Sequence, residues 1–175
     1  MNRNTDFIPF ALPCLGPREE EAVLRVLRSG WITTGAETRS FEEEFARFVG
    51  VPHALAVNSA TAGLHLALEA LGVGPGDLVV TTPYTFTATA EVVRYLGADP
   101  LFVDIGPDSF SLDPRGVEKT LRDPELGPRV KAVLPVHVAG EVRGMEEILA
   151  SCARRGIPVV EDAAHSFPSR TALGF

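Results

Sequence analysis

The chain has 175 residues, of which 45% are hydrophobic, enough for one domain to bury a sizeable core. Its formal net charge is -7 and its basic residues are scattered, so we expect no binding to nucleic acid. The chain has no uncharged apolar stretch long enough to span a bilayer and no basic region before an apolar one at its N-terminus. We therefore expect no membrane partner and a cytoplasmic location.

The two cysteines, Cys14 and Cys152, lie far apart and lack a metal-type spacing. The four histidines are not closely paired either. We therefore expect no disulfide framework and no metal site, and we interpret both cysteines as packing residues of a protein from a reducing compartment.

Apolar runs of strand length alternate along the chain with amphipathic stretches at helical spacing. This alternation is typical of βαβ units and of a largely parallel sheet, and it predicts an α/β fold. The predicted helices cover about 17 to 28, 38 to 48, 60 to 71, 86 to 96, 114 to 122 and 143 to 155. The predicted strands cover about 53 to 57, 78 to 82, 100 to 104, 131 to 136 and 157 to 161.

A turn of small residues from Val57 to Gly63 leads from the first predicted strand into a helix. Small residues allow a close approach of the backbone to a ligand. Free amides at the helix N-terminus, with the hydroxyls of Ser59 and Thr61, would suit a phosphate. Ser59 could instead act only as a helix N-cap, and spacing alone does not separate the two interpretations.

The glycine-rich run Gly72 to Asp77 superficially looks like a dinucleotide-binding fingerprint. That fingerprint must follow a strand and open a helix, whereas this run follows a predicted helix and precedes a predicted strand. The run is therefore interpreted as a helix C-cap and turn. Without this fingerprint, the main argument for a Rossmann dehydrogenase no longer holds.

Two further residues follow predicted strands and are candidates for the same crevice. Phe86 could stack on a flat ring at the mouth of the crevice, or it could be a core residue. His137 could lie near the ligand, or it could be a hydrogen-bonded structural residue. The residues alone leave these alternatives open.

The last predicted strand ends in Glu161, Asp162, Ala163, Ala164 and His165. Ligands of open α/β sheets bind where the strands end. An Asp there, with a His three residues later, suits a protonated ring nitrogen and a ring hydroxyl, as in pyridoxal phosphate (PLP). Asp162 could also simply cap the turn that follows.

Taken together, these motifs resemble the DegT/DnrJ/EryC1/StrS sugar aminotransferases, members of the fold type I PLP-dependent superfamily. The matching motifs follow one another in the family's order over nearly the whole chain. They are Gly30 to Gly35, Phe41 to Phe45, Asn58 to Leu68, Gly76-Asp77, Thr82 to Thr89, Phe102 to Ile105, Leu112 to Pro114, Pro135 to His137 and Glu161 to His165. The resemblance implies a three-layer α/β/α fold with a mostly parallel central sheet, the architecture of an aspartate aminotransferase-like large domain. It also implies that this domain is truncated here.

The resemblance also implies roles for individual residues. The cofactor, PLP or pyridoxamine phosphate (PMP), would be held through its phosphate, its ring face, its ring nitrogen and its ring hydroxyl. The residues implied for these contacts are, in that order, Ser59, Ala60 and Thr61, then Phe86, Asp162 and His165. The substrate side would include Trp31, Thr33, Thr34 and Gly35. The implied reaction transfers an amino group, typically from glutamate, to a keto group of a nucleotide-linked sugar, in a homodimer.

One expected group is missing from the chain. The family supplies a Schiff-base lysine beyond the position of Asp162, whereas the only lysines here are Lys119 and Lys131. We therefore assign no catalytic residue and expect residues 1–175 to be the N-terminal part of a single PLP-binding large domain, without the C-terminal small domain. Such a chain is expected to be inactive alone and to self-associate. The alternative is an inactive regulatory module that binds a cofactor or nucleotide sugar.

Overall fold

The computed structural model describes residue 9, residues 11–172 and residue 174. The chain divides into two compact units, one that ends at Ala56 and one that begins at Val57. The expectation that the chain is part of a single large domain stays a prediction.

The first unit contains two helices, α1 (Pro17–Ser29) and α2 (Ala36–Val49). Pro17 occupies the first turn of α1, where a missing N–H costs nothing, and Glu19 Oε2 accepts a hydrogen bond of 2.7 Å from the amide of Gly16. Both helices end at a glycine in the left-handed region, Gly30 and Gly50, as C-caps commonly do. These findings confirm the two helices predicted for this part of the sequence.

The second unit alternates helices and strands. In chain order its elements are α3 (Ala60–Ala70), β1 (Leu78–Thr81), α4 (Ala88–Tyr95), β2 (Asp99–Phe102), α5 (Pro114–Arg122), β3 (Val130–Val133) and α6 (Met145–Ala153). Short 3-10 turns cover Gly127–Arg129 and Val138–Gly140. The strands form a parallel sheet in the order β2-β1-β3.

Helices cover both faces of this sheet. Alternate side chains of a strand point to opposite faces, and Val79 and Val80 of β1 accordingly belong to two different buried clusters. The cluster around Val79 includes residues of α3 and α4, whereas the cluster around Val80 includes residues of α5 and α6. The predicted three-layer α/β/α arrangement with a parallel sheet is therefore confirmed.

The strand predicted at 53 to 57 is wrong, because these residues form no strand in the described structure. Leu55 is 84% exposed, and the amide of Ala56 donates to Glu42 Oε1 at 2.8 Å rather than to a neighbouring strand. An apolar run forms a strand only where a partner strand is available to pair with it.

The strand predicted at 157 to 161 is present only as two isolated parallel bridges, Val133 to Val159 and Val136 to Asp162. Both bridges have the same offset along the chain, so this segment runs beside β3 in one register. Pro135 and Pro158 have no N–H to donate, which interrupts the ladder between the segments. The predicted segment is therefore in place, but it is not a continuous strand.

The two cysteines differ in environment. Cys152 is buried in the cluster with α5 and α6, as predicted, and burial raises the pKa of its thiol from 9.0 to about 11. Cys14 is exposed, so its interpretation as a packing residue was wrong. In the described part of the chain, no helix combines the length and apolar character needed to cross a membrane.

Candidate functional site

A cavity of about 250 Å³ lies at the carboxyl-terminal edge of the sheet in the second unit. Its walls are residues 83–86 after β1, residues 136–138 after β3, and Asp162, Ala164 and His165. Ligands of open α/β sheets bind at this edge. A larger groove of about 780 Å³ lies between α5 and α6, away from the strand ends, and is lined mainly by charged side chains. We therefore take the smaller cavity as the candidate site.

Asp162 provides the carboxylate of this cavity. The residue is only 8% exposed, its Oδ2 accepts a hydrogen bond of 2.7 Å from the Thr89 hydroxyl, and its Oδ1 accepts one of 3.3 Å from the amide of Ala164. Asp162 thus caps the following turn, and it also lines the cavity. Among the described residues it forms no ion pair. The carboxylate therefore retains lone pairs for an N–H donor in the cavity.

Phe86 lies at the cavity as an exposed side chain. The residue is 78% exposed, which rules out the alternative that it is a core residue. Tyr84 lines the same cavity and stacks on Phe110 with ring centroids 5.3 Å apart. A flat ring could stack on the free face of Phe86 without displacing any packed side chain.

Two histidines line the cavity and have different environments. His165 is exposed, and its Nδ1 accepts a long hydrogen bond of 3.5 Å from the amide of Ala139. His137 is 2% exposed, and its Nε2 lies 2.7 Å from Oε2 of Glu161. The two interpretations of His137 from the sequence, posed as alternatives, are therefore both confirmed. His137 is a buried, hydrogen-bonded residue, and it also lines the cavity.

The turn with Ser59, Ala60 and Thr61 forms the N-terminus of α3. Ser59 is a true N-cap, because its Oγ accepts a hydrogen bond of 3.1 Å from the amide of Ala62. The amides of Ala60 and Thr61 make no hydrogen bond within the described structure. The three residues do not line the cavity, but α3 leads into β1 and packs on α4, so its N-terminus faces the same edge of the sheet. Free amides at a helix N-terminus favour an anion.

The predicted substrate residues lie together in the first unit, in the loop between α1 and α2. Trp31, Thr33, Thr34 and Gly35 line one surface pocket of about 590 Å³. The indole Nε1 of Trp31 donates to the carbonyl of Thr34 at 2.9 Å, and a Cβ at Gly35 would lie 2.5 Å from the indole. Gly35 is therefore required for the close approach of Trp31 to the start of α2.

Sequence reasoning assigned no role to two polar residues of the site. Thr89 is fully buried and donates to Asp162, and Glu161 accepts from His137. The threonine-rich segment after β1 offered a signal for Thr89. A threonine hydroxyl that becomes buried when the chain folds needs a hydrogen-bond partner. Neither lysine lies at the cavity: Lys119 is in α5 and Lys131 is in β3.

The fold and the site define an α/β protein with a carboxylate-bearing crevice at the carboxyl ends of parallel strands. The family model of the DegT/DnrJ/EryC1/StrS aminotransferase family matches residues 13–172. The chain belongs to this family, as its sequence motifs predicted.

Individual relatives agree with this assignment. The spore coat polysaccharide biosynthesis protein SpsC of Bacillus subtilis (strain 168) is 45% identical over 166 residues, which cover 95% of this chain and 41% of SpsC. An X-ray structure of DesV from S. venezuelae has a TM-score of 0.78 and 40% identity, covering 84% of this chain and 39% of DesV. The PLP form of Spr1654 from Streptococcus pneumoniae has a TM-score of 0.84 and 33% identity, covering 92% of this chain and 44% of Spr1654.

A PMP form of Spr1654 matches as well, so the cofactor prediction is confirmed for the family. The chain spans about two fifths of the length of these relatives.

Proposed function

We propose that this chain forms the cofactor-binding part of a PLP-dependent sugar aminotransferase. The observation that carries the proposal is the buried carboxylate of Asp162, which lines the cavity at the strand ends and has no cation partner among the described residues. A protonated pyridine nitrogen is a donor that suits such a carboxylate.

The other residues of the site fit the remaining parts of the cofactor. The free amides of Ala60 and Thr61, with the hydroxyl of Ser59, would hold the phosphate. Phe86 would stack on the ring, and His165 would contact the ring hydroxyl. These groups supply an anion site, an apolar face and polar partners, which is the set of contacts that a phosphorylated pyridine requires.

When bound, PLP supplies an electron-accepting ring that stabilises negative charge next to the transferred nitrogen. In the proposed site, Asp162 keeps the ring nitrogen protonated, and Thr89 holds the carboxylate in place through its hydrogen bond. Phe86 fixes the plane of the ring. The role of this chain is therefore to bind, orient and charge the ring.

The substrates and the assembly are part of the same proposal. Glutamate would donate the amino group, a nucleotide-linked keto sugar would accept it, and the loop with Trp31, Thr33, Thr34 and Gly35 would lie on the substrate side. SpsC, a polysaccharide biosynthesis protein by name, supports a sugar substrate. The exposed apolar side chains of α1, including Val23, Leu24 and Leu27, support a homodimer. We place this activity in the cytoplasm.

A specific observation favours a second candidate, a module that binds the cofactor without turnover. Lys119 and Lys131 both lie away from the cavity, so they provide no amine there. Under this alternative, PLP treated with borohydride on the chain should leave no site-specific label on either lysine. Mass spectrometry that finds stoichiometric labelling of one lysine, together with amino transfer by the chain, would contradict this alternative.

Binding of PMP by the chain tests the cofactor site, and calorimetry is the suitable measurement. Asp162→Asn should weaken binding by roughly 1 to 3 kcal/mol, because it removes a charge-assisted hydrogen bond. Asp113→Asn is the matched control: Asp113 caps α5 away from the cavity, and Asn caps equally well. Equal affinity of all three proteins would remove Asp162 from the site.

A further inference from the structure

His137 is a buried group that the proposed function leaves unexplained. Its side chain is 3% exposed, it lines the cavity, and its Nδ1 has no hydrogen-bond partner among the described residues. Buried polar atoms in folded proteins are nearly always paired, so an exception needs an explanation. A partner supplied by a ligand is one such explanation.

The contact with Glu161 determines which ring nitrogen carries the proton. Nε2 of His137 lies 2.7 Å from Oε2 of Glu161, and an ionised carboxylate can only accept, so Nε2 must be the donor. If the ring were charged, Nδ1 would also carry a proton, and a buried donor of a charged group would be left unpaired. That costs more than leaving a neutral acceptor unpaired. The arrangement therefore favours the neutral ring with a bare Nδ1.

The backbone holds the imidazole in this position. The amide of His137 donates to the carbonyl of Asp162 at 3.1 Å, and the amide of Asp162 donates to the carbonyl of Pro135 at 2.9 Å. The same two segments thus carry the carboxylate of Asp162 and the imidazole of His137. His137 and Asp162 therefore line the cavity from two adjacent segments that are hydrogen-bonded to each other.

We propose that His137 is a binding residue of this cavity, whose Nδ1 accepts a hydrogen bond from an N–H or O–H group of the occupant while Glu161 fixes the required tautomer. The inference rests on the proposed function, because the donor is then either the amine or ring hydroxyl of PMP or a hydroxyl of the sugar substrate. His137 thereby adds a ligand contact to those implied for Asp162 and His165.

Nitrogen-15 NMR of the histidine-labelled chain tests this directly. In the free chain we expect Nε2 of His137 to be protonated and Nδ1 to be bare. PMP is added in one arm, and PMP with UDP-glucose in the other. A shift of the Nδ1 resonance with PMP alone places the donor on the cofactor, and a shift that requires UDP-glucose places it on the sugar.

The possible failures are distinguishable. A protonated Nδ1 in the free chain, or binding of PMP without movement of the Nδ1 resonance in either arm, would overturn the role of His137 and leave the proposed function intact. Failure of PMP to bind at all would contradict both proposals.

Substitution gives a second measurement. His137→Phe keeps an aromatic ring but removes the acceptor, and we expect it to weaken binding of the ligand that shifts Nδ1 by roughly five- to tenfold, the effect of one hydrogen bond. The control is His65→Phe on α3, outside the cavity, where the edge contact with Tyr95 can be kept. Equal affinity of the two variants would also contradict the proposal. The wild-type NMR measurement keeps the test valid if His137→Phe does not fold.

Discussion

The hydroxyl of Thr89 donates a hydrogen bond of 2.7 Å to the carboxylate of Asp162, although the two residues are 73 positions apart in the chain. Thr89 is fully buried in α4, and its Oγ1 also lies 2.7 Å from the hydroxyl of Thr85. One helix that covers the sheet thereby fixes an acidic side chain at the sheet edge. The orientation of Asp162 is thus set by a contact within the chain itself.

Thr89→Val should destabilise the chain by about 1 to 3 kcal/mol, because it leaves one carboxylate oxygen of Asp162 buried without its donor. The midpoint of urea unfolding should fall, while the slope of the transition should stay the same. Thr89→Ser keeps the hydroxyl and should be less damaging. Equal losses in the two variants would mean that packing of the Thr89 methyl group, and not the hydrogen bond, stabilises this region.

Gly35→Ala should move the indole of Trp31, because the new Cβ would lie 2.5 Å from the ring. Trp31 is the only tryptophan in the chain, so its fluorescence reports this change alone. We expect altered emission together with weaker binding of the nucleotide sugar. Gly74→Ala, where a Cβ meets no atom within 4 Å, is the control and should leave the emission as it is. Unchanged emission of Gly35→Ala would show that the loop relaxes freely.

Glu118 should make the stability of the chain depend on pH. A hydrogen bond with Ser151, aided by Arg122 and Arg154 and opposed by a smaller effect of burial, lowers the pKa of Glu118 from 4.5 to about 2. A carboxyl group whose pKa is lower in the folded state stabilises the fold above the unfolded value, and this contribution is lost as the pH falls. The contribution should therefore be complete above pH 4.5 and disappear between pH 4.5 and about 2.

Denaturation of Glu118→Gln beside the wild type at several pH values measures this effect. The wild type should be the more stable protein above pH 4.5, and the difference should shrink toward pH 2. Glu146→Gln is the matched control, since Glu146 forms no ion pair within the described residues. A stability difference for Glu118→Gln that does not change with pH would contradict the assignment.

The helices and most strands could be predicted from the sequence because their signals are local. Pro17 and Gly30 mark the ends of α1, and apolar spacing marks the buried face of α3. The pairing of residues 53 to 57 could not be predicted in this way, because a strand depends on a partner elsewhere in the chain. In the structure, the amide of Ala56 pairs with a side chain of α2 instead.

For the site too, the positions of residues along the chain could be predicted, but their contacts with distant segments could not. Strand ends placed Phe86, Asp162 and His165 at one edge of the sheet, and the structure gathers all three around one cavity. Their environments depend on contacts between distant segments, and spacing does not reveal these. The exposure of Phe86 and the bond from Thr89 to Asp162 are two such features.

The proposed contact between Asp162 and the ring nitrogen of the cofactor is tested most directly by nitrogen-15 NMR of PMP labelled in its pyridine ring. Bound to the chain, the ring nitrogen should give the resonance of a protonated pyridinium, and bound to Asp162→Asn it should lose that signature, because the neutral amide no longer stabilises the positive charge. The same resonance in both proteins, or an unprotonated nitrogen in the wild-type complex, would contradict the account.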